Sequence, residues 1–213
     1  MKVLSGVNSH YTGKVTIDKK EVEIRSPKAA KELGIEIVYQ EVDVALVPNL
    51  SVAENILLNT IVNKMGKKQV ISWPDIRMKA KEQLDRLGVE IDVRKRVSEL
   101  SLAEKQMVLI ARAVLEECKF LLLDEPTAPL SNTETEQLFK IVRNLAEQEN
   151  VGIVFISHRL AELFQICEDI TIMKDGKIVK SMPITEDLTI NQIVELMLGR
   201  KMEETYDTVK IEI

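Results

Sequence analysis

The stretch Lys119-Phe120-Leu121-Leu122-Leu123-Asp124-Glu125-Pro126 decides the fold that we predict for this chain. A run of large apolar residues that stops at two adjacent acids is typical of a buried strand ending at the edge of a sheet. Successive strand residues point to opposite sides, so Asp124 and Glu125 should do different jobs. In open α/β sheets, ligands bind at the carboxyl ends of the strands. The stretch therefore predicts an α/β fold with two carboxylates at a potential ligand site.

Two interpretations of this acidic pair stay open at this level. A magnesium–nucleotide site needs one acid to hold the metal, directly or through water, and a second acid to polarise an attacking water. A strand followed by an acidic helix cap explains the same residues without a ligand. Short apolar runs that end in aspartate are common, so the stretch alone does not separate the two.

Composition limits the classes of protein to which the chain can belong. It has 213 residues, of which 45% are hydrophobic, and this is enough for a real core. Its 29 basic and 34 acidic residues give a net charge of -5, which argues against a dedicated nucleic-acid binder. Cys118 and Cys167 have no metal-ligand spacing, and we expect them to be reduced core residues of a cytosolic protein. No apolar stretch approaches the ~20 residues of a membrane span, so any work at a membrane would use a partner.

The rest of the chain alternates strand and helix patterns. We predict a hairpin at 14–24, a helix at 27–33, a strand at 35–39, helices from 51 to 115, a helix from 131 to about 150, a strand at 151–156, a helix at 159–167, a hairpin at 170–179 and a helix at 190–198. The first six residues look like the last turns of a helix. Ser51, Ser101 and Ser131 are each followed three residues later by glutamate, which predicts capping boxes.

Four polar features now stand in one order: Gln40 after a strand, Leu100-Ser101 before a helix, Asp124-Glu125 after a strand, and His158 after a strand. With these spacings the set resembles the nucleotide-binding domain of ATP-binding cassette (ABC) transporters over nearly the whole chain. The segments that resemble the first cassette of tandem ATPases for import of ribose, galactose, xylose or arabinose are Val38-Tyr39-Gln40-Glu41, Pro48 to Ile56, Leu100 to Met107, Asp124 to Ala128, Ile156 to Arg159 and Leu198 to Lys201.

The resemblance implies a P-loop NTPase-like (RecA-like) fold. Its sheet would be mostly parallel, with an antiparallel hairpin and a helical subdomain at about 51–115. The domain is expected to cover 1–200 and to be followed by the start of a linker at 201–213. In the family, the sequence that resembles Met1–Gly6 comes directly after the phosphate-binding loop, so the first strands of the fold are expected to be missing here.

The resemblance also assigns roles to the four features, with ATP and Mg²⁺ as the cofactors. Asp124 would help to hold Mg²⁺, and Glu125 would be the general base or orient the attacking water. His158 would contact the γ-phosphate, although a lone histidine is more often structural. Gln40 would touch Mg²⁺ or the attacking water and transmit its state to a membrane subunit, although it could equally be an ordinary solvated turn residue.

Ser101 and Ser131 are further candidates for nucleotide contact. In the family, the helix that Ser101 begins meets the γ-phosphate bound by the opposite subunit, and Ser131 stands at the position of the usual D-loop aspartate. Capping boxes with Glu104 and Glu134 are sufficient structural reasons for both serines. The chain also departs from the family signature, because Leu102 is bulky and the Glu104 carboxylate lies near the expected phosphate.

The phosphate-binding loop of such cassettes is not found in the sequence. That loop ends in Gly-Lys-Ser/Thr, whereas Gly13-Lys14, Gly66-Lys67 and Gly176-Lys177 are followed by other residues. We therefore expect a cassette truncated after the Walker A loop, which binds ATP weakly or not at all by itself. Loss of central strands should also expose apolar edges, and this predicts poor solubility or association.

The resemblance implies the ATP-binding subunit of an importer that couples ATP hydrolysis to carbohydrate uptake, peripheral on the cytoplasmic face of the cell membrane. Its partners would be a second cassette, a transmembrane permease and, indirectly, a sugar-binding protein outside the membrane. A cassette remnant without activity that acts only through a partner is one alternative. A soluble cassette ATPase acting on DNA or ribosomes is another, but the long coiled-coil insertions or basic runs that would suggest it are absent from the sequence.

Overall fold

The computed structural model describes residues 1–67 and 70–199 of the chain. Its strands are β1 (Val15–Ile17), β2 (Lys20–Val22), β3 (Ile35–Val38), β4 (Phe120–Asp124), β5 (Gly152–Ile156), β6 (Asp169–Lys174) and β7 (Lys177–Pro183). Its helices are α1 (Pro27–Glu32), α2 (Val42–Ala45), α3 (Val52–Ile56), α4 (Leu58–Gly66), α5 (Trp73–Arg86), α6 (Leu102–Ala113), α7 (Asn132–Glu149), α8 (Leu160–Ile166) and α9 (Ile190–Leu198), with a 3-10 turn at Val97–Glu99.

The chain divides into two compact units, Met1–His158 and Arg159–Ile213. The first holds the parallel sheet and the helices from α1 to α7, and the second holds the hairpin of β6 and β7 with α8 and α9. The predicted extent of one domain over 1–200 stays a prediction, and the predicted linker at 201–213 lies outside the described residues. Within the described ranges, no helix is both long and apolar enough to cross a membrane.

A three-stranded parallel sheet in the order β3-β4-β5 forms the centre of the first unit. Leu121, Leu122 and Leu123 in β4 are at most 2% exposed, so both faces of this strand are covered. The register pairs Val38 with Leu123 and Asp124 with Ile156. The buried strand that the apolar run predicts is therefore confirmed, and it is the middle strand of the sheet.

Helix α7 follows β4 and packs against β5. Its apolar residues recur at helical spacing, and Leu138, Phe139 and Leu145 are fully buried. The ring of Phe139 meets the ring of Phe155 in β5 edge to face, with 6.0 Å between centroids. The helix begins at the predicted Ser131 capping box and ends at Asn150, whose backbone is left-handed with a φ angle of 55°. A left-handed residue of this kind commonly stops a helix.

Strand β5 differs from the continuously buried strand that its sequence suggests. Val154 is 46% exposed and Ile156 is 36% exposed, whereas the leucines of β4 are covered. These residues alternate with the half-buried Ile153 and Phe155, so they lie on the face of β5 opposite to the one that α7 covers. β5 is also an edge strand of the three-stranded sheet. Such an apolar edge favours association, and the expected association of the chain stays a prediction.

Both predicted hairpins are present. Asp18 and Lys19 connect β1 to β2 with positive φ angles of 51° and 65°, the geometry of a tight turn that matches strand twist. Asp175 and Gly176 connect β6 to β7 in the same way, with φ angles of 51° and 73°. Helix α9 packs on the second hairpin and ends at Gly199 as predicted.

The helical block differs from its prediction in detail. The segment after Ser51 forms α3 and α4, separated at Leu57, instead of one helix. The short helix α2 is not predicted, since so few residues do not show a helical period. The first six residues form turns instead of helix, because so short a segment offers few helical hydrogen bonds. One of these bonds joins Ser5 N to Met1 O at 3.0 Å.

Arg86 joins α5 to α7, and its removal should weaken the first unit. Its guanidinium donates to the Glu149 carboxylate, through Nε at 2.7 Å, and to the Val114 carbonyl at 3.3 Å. The hydrogen bond to Glu149 raises the pKa of Arg86, so the group stays charged. We expect Arg86→Met to lower the free energy of unfolding by about 1 kcal/mol, because partly buried acceptors lose their donor.

Urea denaturation followed by circular dichroism measures this loss. Lys81→Met is the control on the same helix, since Lys81 pairs with Asp85 on the exposed surface. We expect the control to lose less than about 0.5 kcal/mol. Equal losses in the two variants would show that Arg86 does not link the helices.

Candidate active site

Three parallel strands deliver polar residues to one edge of the central sheet. Gln40 follows the end of β3 by two residues, Glu125 follows β4 directly, and His158 follows β5 by two residues. Since the strands are parallel and in register, their carboxyl ends lie side by side. The structure thus brings together three of the residues that the sequence predicts for the site.

The Glu125 carboxylate lies between the other two side chains. Gln40 Nε2 donates to Glu125 Oε2 at 3.3 Å, and His158 Nδ1 lies 3.2 Å from the same oxygen. Oε1 of Glu125 has no hydrogen bond with any residue in the described ranges. We call these three residues the Glu125 cluster. Its geometry fixes a carboxylate by one oxygen and leaves the other able to accept a proton.

The backbone of Glu125 is also unusual. Its φ angle is 48°, in the left-handed region that a residue with a side chain rarely adopts. Its N–H donates to the carbonyl of Ile156 at 2.9 Å, which extends the pairing of β4 with β5 by one residue before the chain turns at Pro126. Strained backbone of this kind is often found at functional sites, where the surrounding structure holds it.

Asp124 ends β4 and is half-buried beside the cluster. Its carboxylate has no hydrogen bond with residues of the described chain, so it remains available for a ligand. The described ranges contain no group of three or more His, Cys, Asp or Glu placed to hold a metal ion. Mg²⁺ is usually held by one or two protein oxygens together with water and substrate phosphates. Asp124 and Gln40 therefore fit Mg²⁺ only if a nucleotide supplies further oxygens.

The segment after Gln40 is tied to α6, a link that sequence reasoning missed. Lys105 Nζ lies 2.8 Å from Asp43 Oδ1, and Arg112 Nη1 donates to the Ala45 carbonyl at 2.8 Å. Burial lowers the pKa of Arg112. The one sequence signal is that Lys105 and Arg112 stand two helical turns apart, on one face of α6. A movement of Gln40 would therefore be transmitted to α6 through the contacts of Asp43 and Ala45.

A cavity of about 460 Å³ adjoins Gln40. It is lined by residues 41–44 of the same segment, by Leu102 at the start of α6, and by Ala128 and Pro129 after the acidic pair. The Glu125 cluster thus lies beside a space large enough for part of a ligand.

Ser101 begins α6 through the predicted capping box. Its N–H donates to Glu104 Oε2 at 2.7 Å, and its Oγ accepts from Glu104 N at 3.1 Å. It has no hydrogen bond with the Glu125 cluster in the described structure. It lines a separate cavity of about 370 Å³, which Glu90, Glu104 and Glu134 also line. Lys95 Nζ lies 3.5 Å from Glu104 Oε1 and offsets part of this charge, but three carboxylates against one lysine still disfavour a phosphate at Ser101.

Ser131 caps α7 in the same way and makes no hydrogen bond with the Glu125 cluster in the part of the chain described. Its Oγ donates to Glu134 Oε2 at 2.7 Å, and its N–H donates to the same oxygen at 2.8 Å. Both bonds lower the pKa of Glu134, and the bond from the backbone N–H has the larger effect. The capping box is a sufficient structural reason for Ser131.

Neither cysteine belongs to this site. Cys118 and Cys167 are both free thiols, as expected of reduced residues, but they are half-buried instead of core residues. Burial raises the pKa of Cys118 to about 12, and it raises the pKa of Cys167 as well. Thiols held in the protonated form are poor nucleophiles.

Known proteins share this fold. The ADP conformation of MJ1267, an ATP-binding cassette of an ABC transporter, aligns over 93% of this chain and 82% of its own, with 22% identity and a TM-score of 0.75. The dimeric ATP-binding cassette MJ0796 bound to ADP and Pi aligns over 85% and 78%, with 23% identity and a TM-score of 0.70. CbiO1 from Clostridium perfringens, part of the ABC transporter complex cbiONQ, aligns over 84% and 69%, with 25% identity and a TM-score of 0.69.

A match to a protein-family profile assigns the chain to a family, which the shared fold alone does not do. The profile described as ABC transporter matches residues 1–128, which is more than half of the chain and includes Gln40, Ser101, Asp124 and Glu125. The chain therefore belongs to the ABC transporter family, as an ATP-binding cassette.

Proposed function

We propose that this chain is the ATP-binding subunit of an importer that couples ATP hydrolysis to carbohydrate uptake. The observation that carries the proposal is the Glu125 carboxylate at the carboxyl ends of three parallel strands. Gln40 and His158 contact one of its oxygens, and the other makes no hydrogen bond with the described residues. The carbohydrate specificity rests on the sequence segments that resemble the first cassettes of sugar importers.

Each residue of the site has a role that its geometry allows. Glu125 Oε1 accepts the proton of the attacking water, because Oε2 is already engaged. His158 uses Nδ1 toward Glu125, which leaves Nε2 for the γ-phosphate. Asp124 and Gln40 would hold Mg²⁺ through oxygen atoms, and the bound ion would neutralise phosphate charge.

The phosphates of ATP need hydrogen-bond donors, which a Gly-Lys-Ser/Thr loop usually supplies. The sequence of this chain contains no such loop. We therefore expect the chain by itself to bind ATP weakly and to hydrolyse it slowly. Submicromolar or micromolar binding of a fluorescent ATP analogue to the isolated chain with Mg²⁺ would contradict the expectation.

A second cassette and a transmembrane permease are the proposed partners, with a sugar-binding protein acting indirectly through the permease. MJ0796 is dimeric, and cbiO1 is part of an ABC transporter complex. The helical block and the segment before it expose the apolar side chains of Val44, Val62 and Met65. A permease could cover such side chains. These partners would hold the chain at the cytoplasmic face of the membrane.

Reconstitution with the permease and the complete partner cassette in liposomes tests the proposal. We expect ribose, galactose, xylose or arabinose, delivered with its binding protein, to stimulate phosphate release and to accumulate in the liposomes. An assembly stimulated by none of these sugars but by another solute would contradict carbohydrate import. It would leave the ATPase assignment standing.

Replacing Glu104 by glutamine should strengthen any phosphate contact at Ser101. Glutamine keeps the capping box but removes one carboxylate from the cavity that Ser101 lines. Two unit charges ~4 Å apart in water interact by ~1 kcal/mol, so we expect about fivefold faster ATP hydrolysis by the pair of cassettes. Glu54→Gln is the control, because Glu54 forms the same capping box at α3. Equal effects of the two variants would show that the charge of Glu104 does not act on a phosphate at Ser101.

A further inference from the structure

A cleft of about 530 Å³ lies in the helical block and shares no lining residue with the Glu125 cluster or with the cavity beside Gln40. It is lined by Ser51, Ala53, Glu54, Trp73, Ile76, Arg77 and Arg94. We call it the Trp73 cleft. Two of its residues are firmly buried, Ala53 at 1% and Ile76 at 2% exposure, so the cleft has an apolar part that is covered by the fold.

The frame of the cleft is fixed by backbone hydrogen bonds. Val52 N donates to the Lys95 carbonyl at 3.0 Å, and Ala53 N donates to the Val93 carbonyl at 3.0 Å. These bonds attach the start of α3 to the segment that carries Arg94. They also use two of the free N–H groups of the helix start, so the cleft does not depend on a helix terminus for anion binding. One side of the cleft, from α3 to Arg94, is therefore held in place by the fold.

The charges that line the cleft are unbalanced. Neither the Arg77 nor the Arg94 guanidinium has an ion pair or hydrogen bond within the described ranges, whereas Arg86 and Arg112 are both bonded. Among the described residues that line the cleft, Glu54 has the one carboxylate, which already accepts from Ser51 N at 2.8 Å and Ser51 Oγ at 2.5 Å. Two cations thus face a single acid that is held by a helix cap.

Trp73 adds an exposed aromatic surface to these cations. It begins α5 and is 45% exposed. It stands one helical turn before Arg77, so both side chains lie on one face of the helix. Exposed tryptophan and arginine are the residue types that most often dominate protein interfaces. Unpaired guanidinium groups fit carboxylates, to which they can donate two parallel hydrogen bonds.

We propose that the Trp73 cleft binds an acidic peptide segment of a partner protein. Carboxylates of the segment pair with Arg77 and Arg94, and an apolar side chain packs against Trp73 and Ile76. The site is concave and has a buried apolar part, so it fits a single apolar side chain better than it fits the surface of a lipid bilayer. Binding at this cleft is independent of the proposed ATPase function.

The test uses Trp73 itself as the reporter, since it is the sole tryptophan of the chain. The full chain is titrated at low salt with the peptide acetyl-Asp-Glu-Leu-Phe-Glu-Asp-amide while tryptophan emission is recorded. We expect a saturable change in emission. The dissociation constant of the double variant R77Q/R94Q should be about tenfold larger than that of the native chain. The control R96Q removes an exposed arginine that does not line the cleft, and it should bind as the native chain does.

Several outcomes would overturn the proposal. These are equal binding of the peptide with Asn and Gln in place of its acids, unchanged binding by R77Q/R94Q, or no binding at millimolar peptide. A change in emission with phosphatidylserine vesicles but not with the peptide would assign the cleft to a membrane surface instead. Competition by inorganic phosphate at equal concentration would assign it to a small anion. If R77Q/R94Q does not fold by circular dichroism, R77K/R94K and the loss of binding with added salt decide the question.

Discussion

Replacing Glu125 by glutamine is expected to lower ATP hydrolysis by the assembled cassettes about 10²–10⁴-fold while ATP binding is retained. Glutamine has nearly the same shape and can still accept a hydrogen bond from Gln40 Nε2. It cannot take a proton from water, which is the step that we propose for Glu125 Oε1, the oxygen that makes no hydrogen bond within the described ranges. The loss should therefore appear in kcat and not in the affinity for ATP.

Phosphate release at saturating ATP, together with binding of a fluorescent ATP analogue, measures both quantities. Glu136→Gln is the matched control, because Glu136 is an exposed residue of α7 outside the site. We expect this control to hydrolyse ATP at the native rate. If Glu125→Gln kept more than about a tenth of the native kcat, Glu125 would not be the general base.

Replacing Phe139 by alanine should cause the largest loss of stability. Phe139 is fully buried between α7 and the sheet, and its ring meets Phe155 edge to face. Truncation of a buried phenylalanine leaves a cavity and removes this ring contact, so we expect the free energy of unfolding to fall by about 3–5 kcal/mol.

Urea denaturation followed by Trp73 fluorescence reports this loss, because Trp73 lies in the same compact unit. Val62→Ala is the control, since Val62 is exposed on α4. We expect the control to change stability by less than about 0.5 kcal/mol. A loss below about 1 kcal/mol for Phe139→Ala would show that α7 is not the main cover of this sheet.

The parts of the fold that follow local rules could be predicted from the sequence. The apolar run before Asp124 indicates a strand because a strand buried on both faces is apolar throughout. The Ser-x-x-Glu pattern marks the start of α3, α6 and α7, since both hydrogen bonds of a capping box are local. The turns at Asp18-Lys19 and Asp175-Gly176 follow from short polar connections between alternating strands.

The contacts within the site could be predicted only in part. Gln40 and Glu125 are 85 positions apart, and the strand pattern places them at one sheet edge without fixing the direction of either side chain. Nothing local indicates that Glu125 adopts a positive φ or that β5 leaves Val154 exposed, because both depend on how distant parts of the chain pack together. The acidic surroundings of Ser101 likewise depend on Glu90 and Glu134, which come from other parts of the chain.

The Glu125 cluster should be a hydrolytic centre that needs phosphate donors, and residues 1–213 do not supply these as a Gly-Lys-Ser/Thr loop. The most direct measurement is phosphate release from ATP by this chain alone, by the complete partner cassette alone, and by the two mixed. We expect almost none from the chain alone and a rate for the mixture well above that of the partner, with the increase lost in Glu125→Gln. A mixture no faster than the partner alone, or an increase that survives in Glu125→Gln, would contradict this account of the site.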